Sequence, residues 1–169
     1  MMTPAQFETA CQSLEGYFGV VGVFGGDPCL SPHFEEICEI LCRYFPFEQR
    51  GLWANDPVGK GAICRKTFNP KVSNINVHLD QNAYGEFCRD WPEVKKYIIG
   101  NDSDSRHGPP FVAMKDLGMS DEEIYEKAAG CDVNQNWSAL LGVVRGKLKA
   151  YVCELMYTQA AIHENDQDW

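Results

Sequence analysis

The chain has 169 residues, of which 44% are hydrophobic, and a formal net charge of -9 at pH 7. This length predicts one domain with an apolar core. The acidic balance argues against non-specific binding of nucleic acids, which requires a basic face for the phosphates. The first residues lack a cationic segment followed by an apolar run, and no apolar stretch approaches membrane-spanning length. We therefore expect a cytoplasmic protein that binds neither nucleic acids nor membranes.

The first part of the chain predicts a helix, a strand and a second helix. Residues 3–6 (Thr-Pro-Ala-Gln) have the capping-box pattern that opens a helix. Residues 20–24 form a short apolar run that contains a glycine, which is typical of a strand buried on both faces. Ser31 caps the second predicted helix, and Pro46 ends it.

The middle of the chain continues the alternation of strands and helices. Residues 51–55 and 74–80 predict strands, and the second of these alternates cleanly between apolar and polar side chains. Residues 56–73 contain prolines and glycines and predict a long loop, which is often functional in a compact domain. Residues 111–116 predict another short strand, and residues 120–130 predict a helix that opens with a capping box. This order favours an α/β fold with a parallel sheet.

The pattern changes near the end of the chain. Two β-type runs, residues 137–144 and 147–156, are joined by Arg-Gly and predict a hairpin. Residues 155–163 are equally compatible with the start of a helix. We therefore predict an α/β part, residues 1–130, and a hairpin extension with a tail, residues 131–169.

Two groups of residues are candidates for ligand binding. Gly25 and Gly26, followed by Asp27, form a turn at the predicted carboxyl end of a strand, where parallel α/β folds bind ligands. Asn76 and His78 share the polar face of the strand at residues 74–80. An ordinary strand-to-helix turn and a solvent-exposed edge strand are the simpler alternatives.

Eight cysteines are scattered along the chain without any Cys-x-x-Cys pair. Cys38 and Cys42 fall within the apolar stripe of the second helix, where cysteine behaves as a small hydrophobic residue. Cys29 adjoins the glycine turn and is expected to be more exposed. Cys131 and Cys153 bracket the predicted hairpin, which favours half of an iron–sulfur or zinc site or, more simply, two buried thiols.

Together these tracts resemble a radical S-adenosylmethionine (radical SAM) protein with an auxiliary-cluster extension of the SPASM/twitch type. The resemblance lies in residues 22–37 (GVFGGDPCLSPHFEEI), 48–57 (EQRGLWANDP) and 68–80 (FNPKVSNINVHLD), and in the hairpin. It implies a partial (β/α) barrel, truncated at its first strand, with a C-terminal β-hairpin. It also implies iron–sulfur chemistry, in which a [4Fe-4S] cluster on three cysteines cleaves S-adenosylmethionine.

The resemblance assigns roles by position. It implies that Gly25, Gly26 and Asp27 meet the methionine amino group of the cofactor. It implies that Asn76 and His78 face the barrel interior near the cofactor or the substrate.

At the hairpin, the resemblance makes Cys131 and Cys153 two metal ligands of an auxiliary cluster. Three departures accompany it. Asp27 stands where the family usually has Glu, no Cys-x-x-x-Cys-x-x-Cys loop precedes the first helix, and no cysteine follows Cys153. The chain is thus expected to belong to an enzyme family but to be inactive alone. We expect a fragment, or a chain completed by a second polypeptide that carries the cluster loop.

Two alternatives remain open from the sequence. The first is a non-catalytic α/β module that binds a peptide or a nucleotide-like ligand. The second is a small α/β phosphate- or nucleotide-binding protein that uses the glycine turn and the next helix N-terminus. Glu35 and Glu36 at that helix start argue against bound phosphate.

Overall fold

The computed structural model describes residues 2–25, 27–55, 59–77, 81–98, 117–130, 140–151 and 154–162. The chain forms two compact units. The first is Thr3–Arg106, and the second is His107–Trp169 together with Met1–Met2. None of the helices in the described part of the chain is long and apolar enough to cross a membrane. The predicted boundary at residue 130 stays a prediction.

Helices and strands alternate through the described part of the first unit. The elements are α1 (Pro4–Ser13), β1 (Val21–Val23), α2 (Phe34–Tyr44), β2 (Arg50–Ala54), α3 (Gly61–Thr67), β3 (Asn74–Val77), α4 (Gln81–Asp90) and β4 (Lys95–Ile98). Short 3-10 turns precede α2, β2 and β3. The α/β class predicted from the sequence is confirmed.

The four strands form one parallel sheet in the order β1-β2-β3-β4, which is also their order in the chain. Crossovers between parallel neighbours are nearly always right-handed, so a sheet that grows in one direction carries its helices on one face. The contacts of α1 with α2, α2 with α3 and α3 with α4 agree with this arrangement. Among the described strands β1 and β4 are the outer ones, and the partial barrel stays a prediction.

The main core lies between this sheet and its helices. Register places Val23 beside Leu52 and Ala54 beside Ile75, so these four side chains share one face of the sheet. They belong to one buried cluster with residues of all four helices. The largest fully buried members of that cluster are Trp91, Phe34, Phe68, Phe87, Leu41, Leu52 and Ile75.

Two sequence predictions in this unit were wrong or incomplete. The segment 56–73, predicted as a loop, contains α3, because Cys64, Thr67 and Phe68 are buried against the core. Strand β4 was not predicted, because its four residues Lys-Lys-Tyr-Ile are too short and too polar to show a strand pattern. The predicted strand at 111–116 lies outside the described residues.

The second unit begins its described part with a helix, α5 (Asp121–Ala129). Its capping box is formed as predicted. The Ser120 amide donates to Glu123 Oε2 at 2.8 Å, and the Glu123 amide donates to Ser120 Oγ at 3.2 Å. The backbone and side chain of Ser120 thus hold the pKa of the Glu123 carboxyl below its usual value.

The predicted hairpin is also confirmed. Strands β5 (Leu140–Val144) and β6 (Lys147–Tyr151) are antiparallel neighbours. Arg145 and Gly146 have φ values of 50° and 79°, as a two-residue hairpin turn with the twist of its strands requires. Strand β6 ends earlier than the predicted run, and a helix, α6 (Glu154–Ile162), follows it.

Candidate functional site

The first candidate is the turn that follows β1 at the carboxyl edge of the sheet. Val23 ends the strand as a buried residue, and Phe24 is 49% exposed. Gly25 has φ +105°, and no heavy atom lies within 4 Å of the place where a Cβ would stand. Asp27 is partly buried and opens the 3-10 turn Pro28–Leu30. The turn therefore occupies the edge where parallel sheets bind ligands. Gly26 lies outside the described residues.

An ion pair lies at the starts of two helices near the same edge. Lys60 Nζ is 2.9 Å from Glu35 Oε1, joining the residue before α3 to the first turn of α2. The hydrogen bond to Glu35 raises the pKa of the Lys60 ammonium group. Because each charge offsets the other, the pair does not create an anion-binding site here. This agrees with the sequence argument against bound phosphate.

The face of the sheet opposite the helices carries a second candidate, which the sequence analysis missed. Trp53 lies on this face, next to the register pair Gly22 and Gly51. Its indole nitrogen donates a hydrogen bond of 2.9 Å to the Asn74 side-chain oxygen. The Asn74 amide nitrogen donates to the Ser73 carbonyl oxygen at 3.1 Å in the orientation that satisfies both bonds.

The alternation predicted for β3 is present at its first two residues, and the rest of the predicted polar face stays a prediction. Ile75 is fully buried on the helix side, whereas Asn74 is partly exposed on the opposite face. Asn76 lies in β3, in register with Tyr97 of β4. His78 lies outside the described residues. The role of Asn76 and His78 near a ligand stays a prediction.

The thiols near the glycine turn belong to the core. Cys29 is only 4% exposed, so the prediction of an exposed thiol was wrong. The 3-10 turn directs Cys29 inward, where its thiol forms a hydrogen bond with that of Cys64. This hydrogen bond, together with burial, raises the pKa of Cys64 far above its usual value. Burial raises the pKa of Cys38 to about 12 and that of Cys11 to about 11.

The raised pKa values keep the thiols of Cys11, Cys38 and Cys64 protonated at neutral pH. Since the thiolate is the form that binds metals and attacks electrophiles, such buried thiols are chemically inert. The prediction that Cys38 is a core residue is confirmed. For Cys42 it was wrong, because that side chain is exposed near the end of α2, where Arg50 Nη1 donates to its sulfur.

The resemblance to radical SAM proteins also implies metal ligands. Within the ranges that the structure describes, no group of three or more His, Cys, Asp or Glu side chains is arranged to hold a metal ion. The described cysteines therefore do not fit a three-thiolate cluster site. Cys131 and Cys153 lie outside the described residues, so their assignment as cluster ligands stays a prediction.

A cleft of about 460 Å³ lies near the amino end of the sheet. It is lined by the last turns of α1 and α2 and the segments that follow them, including Tyr17, Tyr44 and Gln49. At its rim, Glu8 Oε1 accepts hydrogen bonds from Arg43 at 2.8 Å and from the Tyr44 hydroxyl at 3.0 Å. These polar groups at the rim pair with each other, and the Glu15 carboxylate also lines the cleft.

No family model, no curated protein and no solved structure matches this chain.

Proposed function

We propose that this chain is a radical SAM-type protein that binds S-adenosylmethionine at the carboxyl edge of its sheet and does not cleave the cofactor alone. The observation that carries the proposal is the position of Gly25 and Asp27 directly after the first strand of a parallel sheet in chain order. That strand order, with helices on one face, is what a partial (β/α) barrel requires.

The residues of the turn fit the amino-acid part of the cofactor. S-adenosylmethionine carries an ammonium group and a sulfonium group, both positive, and one carboxylate. Asp27 would pair with the ammonium group through a charge-assisted hydrogen bond. The open space at Gly25 lets a ligand approach the backbone closely. The net charge of -9 further favours a cationic ligand.

The described residues do not fit a [4Fe-4S] cluster. In the radical SAM family this cluster supplies the electron that cleaves the cofactor. Here the thiols of Cys11, Cys38 and Cys64 are buried and protonated. We therefore assign this chain the binding of the cofactor but not the radical-forming step.

The proposal includes a second polypeptide that carries the cluster loop. Among the described strands β1 is an outer one, and exposed apolar side chains flank it. Phe18 is 91% exposed, Phe24 is 49% exposed and Val20 is 37% exposed. An open strand edge beside exposed apolar groups favours pairing with another strand.

Isothermal titration with S-adenosylmethionine tests the binding half of the proposal. We expect saturable binding by the wild-type chain and a loss of roughly tenfold or more in Asp27→Asn, since the negative charge that pairs with the ammonium group is removed. Gly25→Ala should also weaken binding, because its backbone conformation disfavours a side chain. Gly16→Ala is the matched control, since Gly16 also has a positive φ (+81°) and open surroundings.

Equal losses in Gly25→Ala and Gly16→Ala would show a general effect on folding and would refute the binding role of the turn. Absence of saturable binding by the wild-type chain would refute the proposal itself.

Anaerobic reconstitution tests the catalytic half. The chain is incubated with iron, sulfide, dithionite and S-adenosylmethionine, and 5′-deoxyadenosine is measured by mass spectrometry. We expect no 5′-deoxyadenosine above a protein-free control. Its formation in proportion to the protein would overturn the statement that this chain alone does not cleave the cofactor.

The second candidate function is a non-catalytic module for a nucleotide-like ligand. The buried, protonated state of the Cys11, Cys38 and Cys64 thiols favours it, because such a module needs no reactive cysteine at these positions. Thermal-shift measurements with S-adenosylmethionine and with ATP separate the two functions. Stabilisation by ATP alone would support the module, and stabilisation by S-adenosylmethionine alone would support the first proposal.

A further inference from the structure

The indole of Trp53 lies across three strands on the sheet face opposite the helices. Its six-membered ring covers Gly22 of β1 and Gly51 of β2, and its N–H reaches Asn74 of β3. A Cβ at Gly22 would collide with this ring, and a Cβ at Gly51 would stand 2.5 Å from the Val72 carbonyl oxygen and 2.7 Å from Trp53 Cζ3. The two paired glycines therefore make the space that the indole occupies.

The ring is held in place from both ends. At one end the ring lies over Gly22 of β1 and Gly51 of β2, which leave room for it. At the other end the 2.9 Å hydrogen bond to Asn74 of β3 fixes it. Asn74 is itself oriented by its hydrogen bond to the Ser73 carbonyl oxygen. A large aromatic side chain fixed in this way has already lost most of its rotamer freedom, so little further entropy is lost when a ligand stacks on it.

Trp53 differs from a core tryptophan of the same unit. Trp91 is 1% exposed and meets Phe87 edge-on, with ring centroids 5.8 Å apart. Trp53 is partly exposed and lies outside the hydrophobic cluster on the helix side. Of the aromatic rings whose side chains the structure describes, none stacks on Trp53.

We propose that Trp53 is the stacking platform for a planar, uncharged or cationic nitrogen heterocycle of purine size. An indole face attracts electron-poor rings and cations, and base-on-aromatic stacking is a recurrent mode of recognition. The Asn74 amide keeps one N–H and one oxygen lone pair for the polar edge of such a ring. The net charge of -9 disfavours a polyphosphate and so favours a nucleoside-like ligand.

This proposal goes beyond the cofactor proposal and is separable from it. It uses Gly22, Gly51, Trp53 and Asn74, whereas the cofactor proposal uses the turn at Gly25 and Asp27. Binding of S-adenosylmethionine that Asp27→Asn weakens, without any effect of adenosine at Trp53, would overturn only the platform. Stacking of a nucleoside on Trp53 without binding of S-adenosylmethionine would overturn only the cofactor proposal.

Fluorine NMR of the full chain labelled with 5-fluorotryptophan provides the test. The chain has four tryptophans, and the Trp53 and Trp91 resonances are assigned by their loss in Trp53→Phe and Trp91→Phe. Adenosine is the probe, and ribose is its control. We expect adenosine to shift the Trp53 resonance saturably and to leave the Trp91 resonance in place. No shift at Trp53, or equal shifts from ribose, would overturn the proposal.

A pair of glycine variants sharpens the test. Gly22→Ala should displace the indole and weaken adenosine binding about tenfold or more, because the stacking surface is lost. Gly85→Ala is the matched control, because no heavy atom lies within 4 Å of a Cβ there. Unchanged affinity in Gly22→Ala would overturn the proposal. If Gly22→Ala does not fold, Trp53→Leu replaces it, with the same loss expected.

Discussion

The two units of the molecule are stabilised in different ways. The first buries a continuous apolar cluster with members from α1, α2, α3 and α4 and from β1, β2 and β3. In the described part of the second unit the buried cluster consists of Val144, Tyr151 and Ala160. There a tight turn and the edge-on contact of Tyr151 with Tyr157, at 5.4 Å between ring centroids, hold the hairpin. A parallel sheet requires a shared core, whereas a hairpin depends more on local geometry.

The largest effect on the free energy of unfolding is expected when an aromatic side chain is removed from the shared core. Phe68 is fully buried and stacks on Phe34, with ring centroids 6.2 Å apart. We expect Phe68→Ala to lower the free energy of unfolding by about 3–5 kcal/mol. Urea denaturation measures this, and Phe18→Ala is the control, since Phe18 is 91% exposed.

Hydrogen exchange on the same variant tests the comparison directly. If the two units unfold separately, the amides of β5 and β6 keep their protection in Phe68→Ala. Equal loss of protection in both units would show that they unfold together, and the contrast between them would fail.

A smaller loss of stability is expected from a substitution at Gly61, where α3 approaches α4. A Cβ at Gly61 would stand 2.5 Å from Asp90 Cβ and 3.2 Å from the Phe87 carbonyl oxygen. Gly61→Ala should therefore cost about 1–3 kcal/mol. Gly85→Ala in α4 should instead stabilise by up to about 1 kcal/mol, since Ala is the better helix former. Thermal denaturation compares the two, and effects of the same sign would contradict the close packing of these helices.

The pH dependence of stability provides a third test of the shared core. The pKa of Cys38 rises from 9.0 to about 12 on folding because the thiol is buried. Between pH 9 and pH 12 the Cys38 thiol is ionised in the unfolded chain but still protonated in the fold. The stability that the protonated thiol contributes below pH 9 is therefore lost as the pH rises towards 12. Cys38→Ala should remove up to about 1.4 kcal/mol per pH unit from this decline.

Urea denaturation at about pH 8 and at about pH 10.5 measures the decline, since the Cys38 thiol ionises within this range in the unfolded chain but stays protonated in the fold. Cys42→Ala is the control, because the Cys42 side chain is exposed. Equal slopes for Cys38→Ala and Cys42→Ala would contradict the burial of Cys38.

The smallest effect is expected at the hairpin turn. Gly146 has φ +79°, a conformation that side chains other than that of Asn rarely adopt. Gly146→Ala should weaken the hairpin by about 1 kcal/mol, and Gly146→Asn should weaken it less. Hydrogen exchange of the β5 amides measures both variants. Equal effects would show that the backbone conformation of the turn does not limit hairpin stability.

Local sequence patterns predicted the elements that are marked by a capping box or by an apolar stripe. The capping box of α1 is formed by Thr3 and Gln6 as expected. The apolar stripe of α2 is buried at Phe34, Ile37, Cys38 and Leu41. Helix α2 nevertheless begins later than predicted, since Ser31 is buried and His33 occupies the cap position.

The elements that were missed depend on tertiary packing. Helix α3 has seven residues and no side-chain cap at Lys60, so no local pattern marks its start. Its buried face, including Cys64 and Thr67, is stable because the sheet and α2 cover it. The inward position of Cys29 likewise follows from its contact with Cys64, which is distant in the sequence.

The Trp53 platform had a partial signal in the sequence. A glycine stands inside each of the first two strands, at Gly22 and Gly51, and strand glycines often mark the close approach of a bulky group. The sequence did not reveal that these glycines are register partners. Register depends on the packing of whole strands, so the platform became visible only in the structure.

The agreement between strand order in the sheet and strand order in the chain also bears on how the protein is made. Each of β2, β3 and β4 pairs with the strand that was synthesised just before it. In a nascent chain, each of these three described strands can therefore pair with a strand that has already left the ribosome. The first unit can grow vectorially, one strand at a time, at the pace of translation.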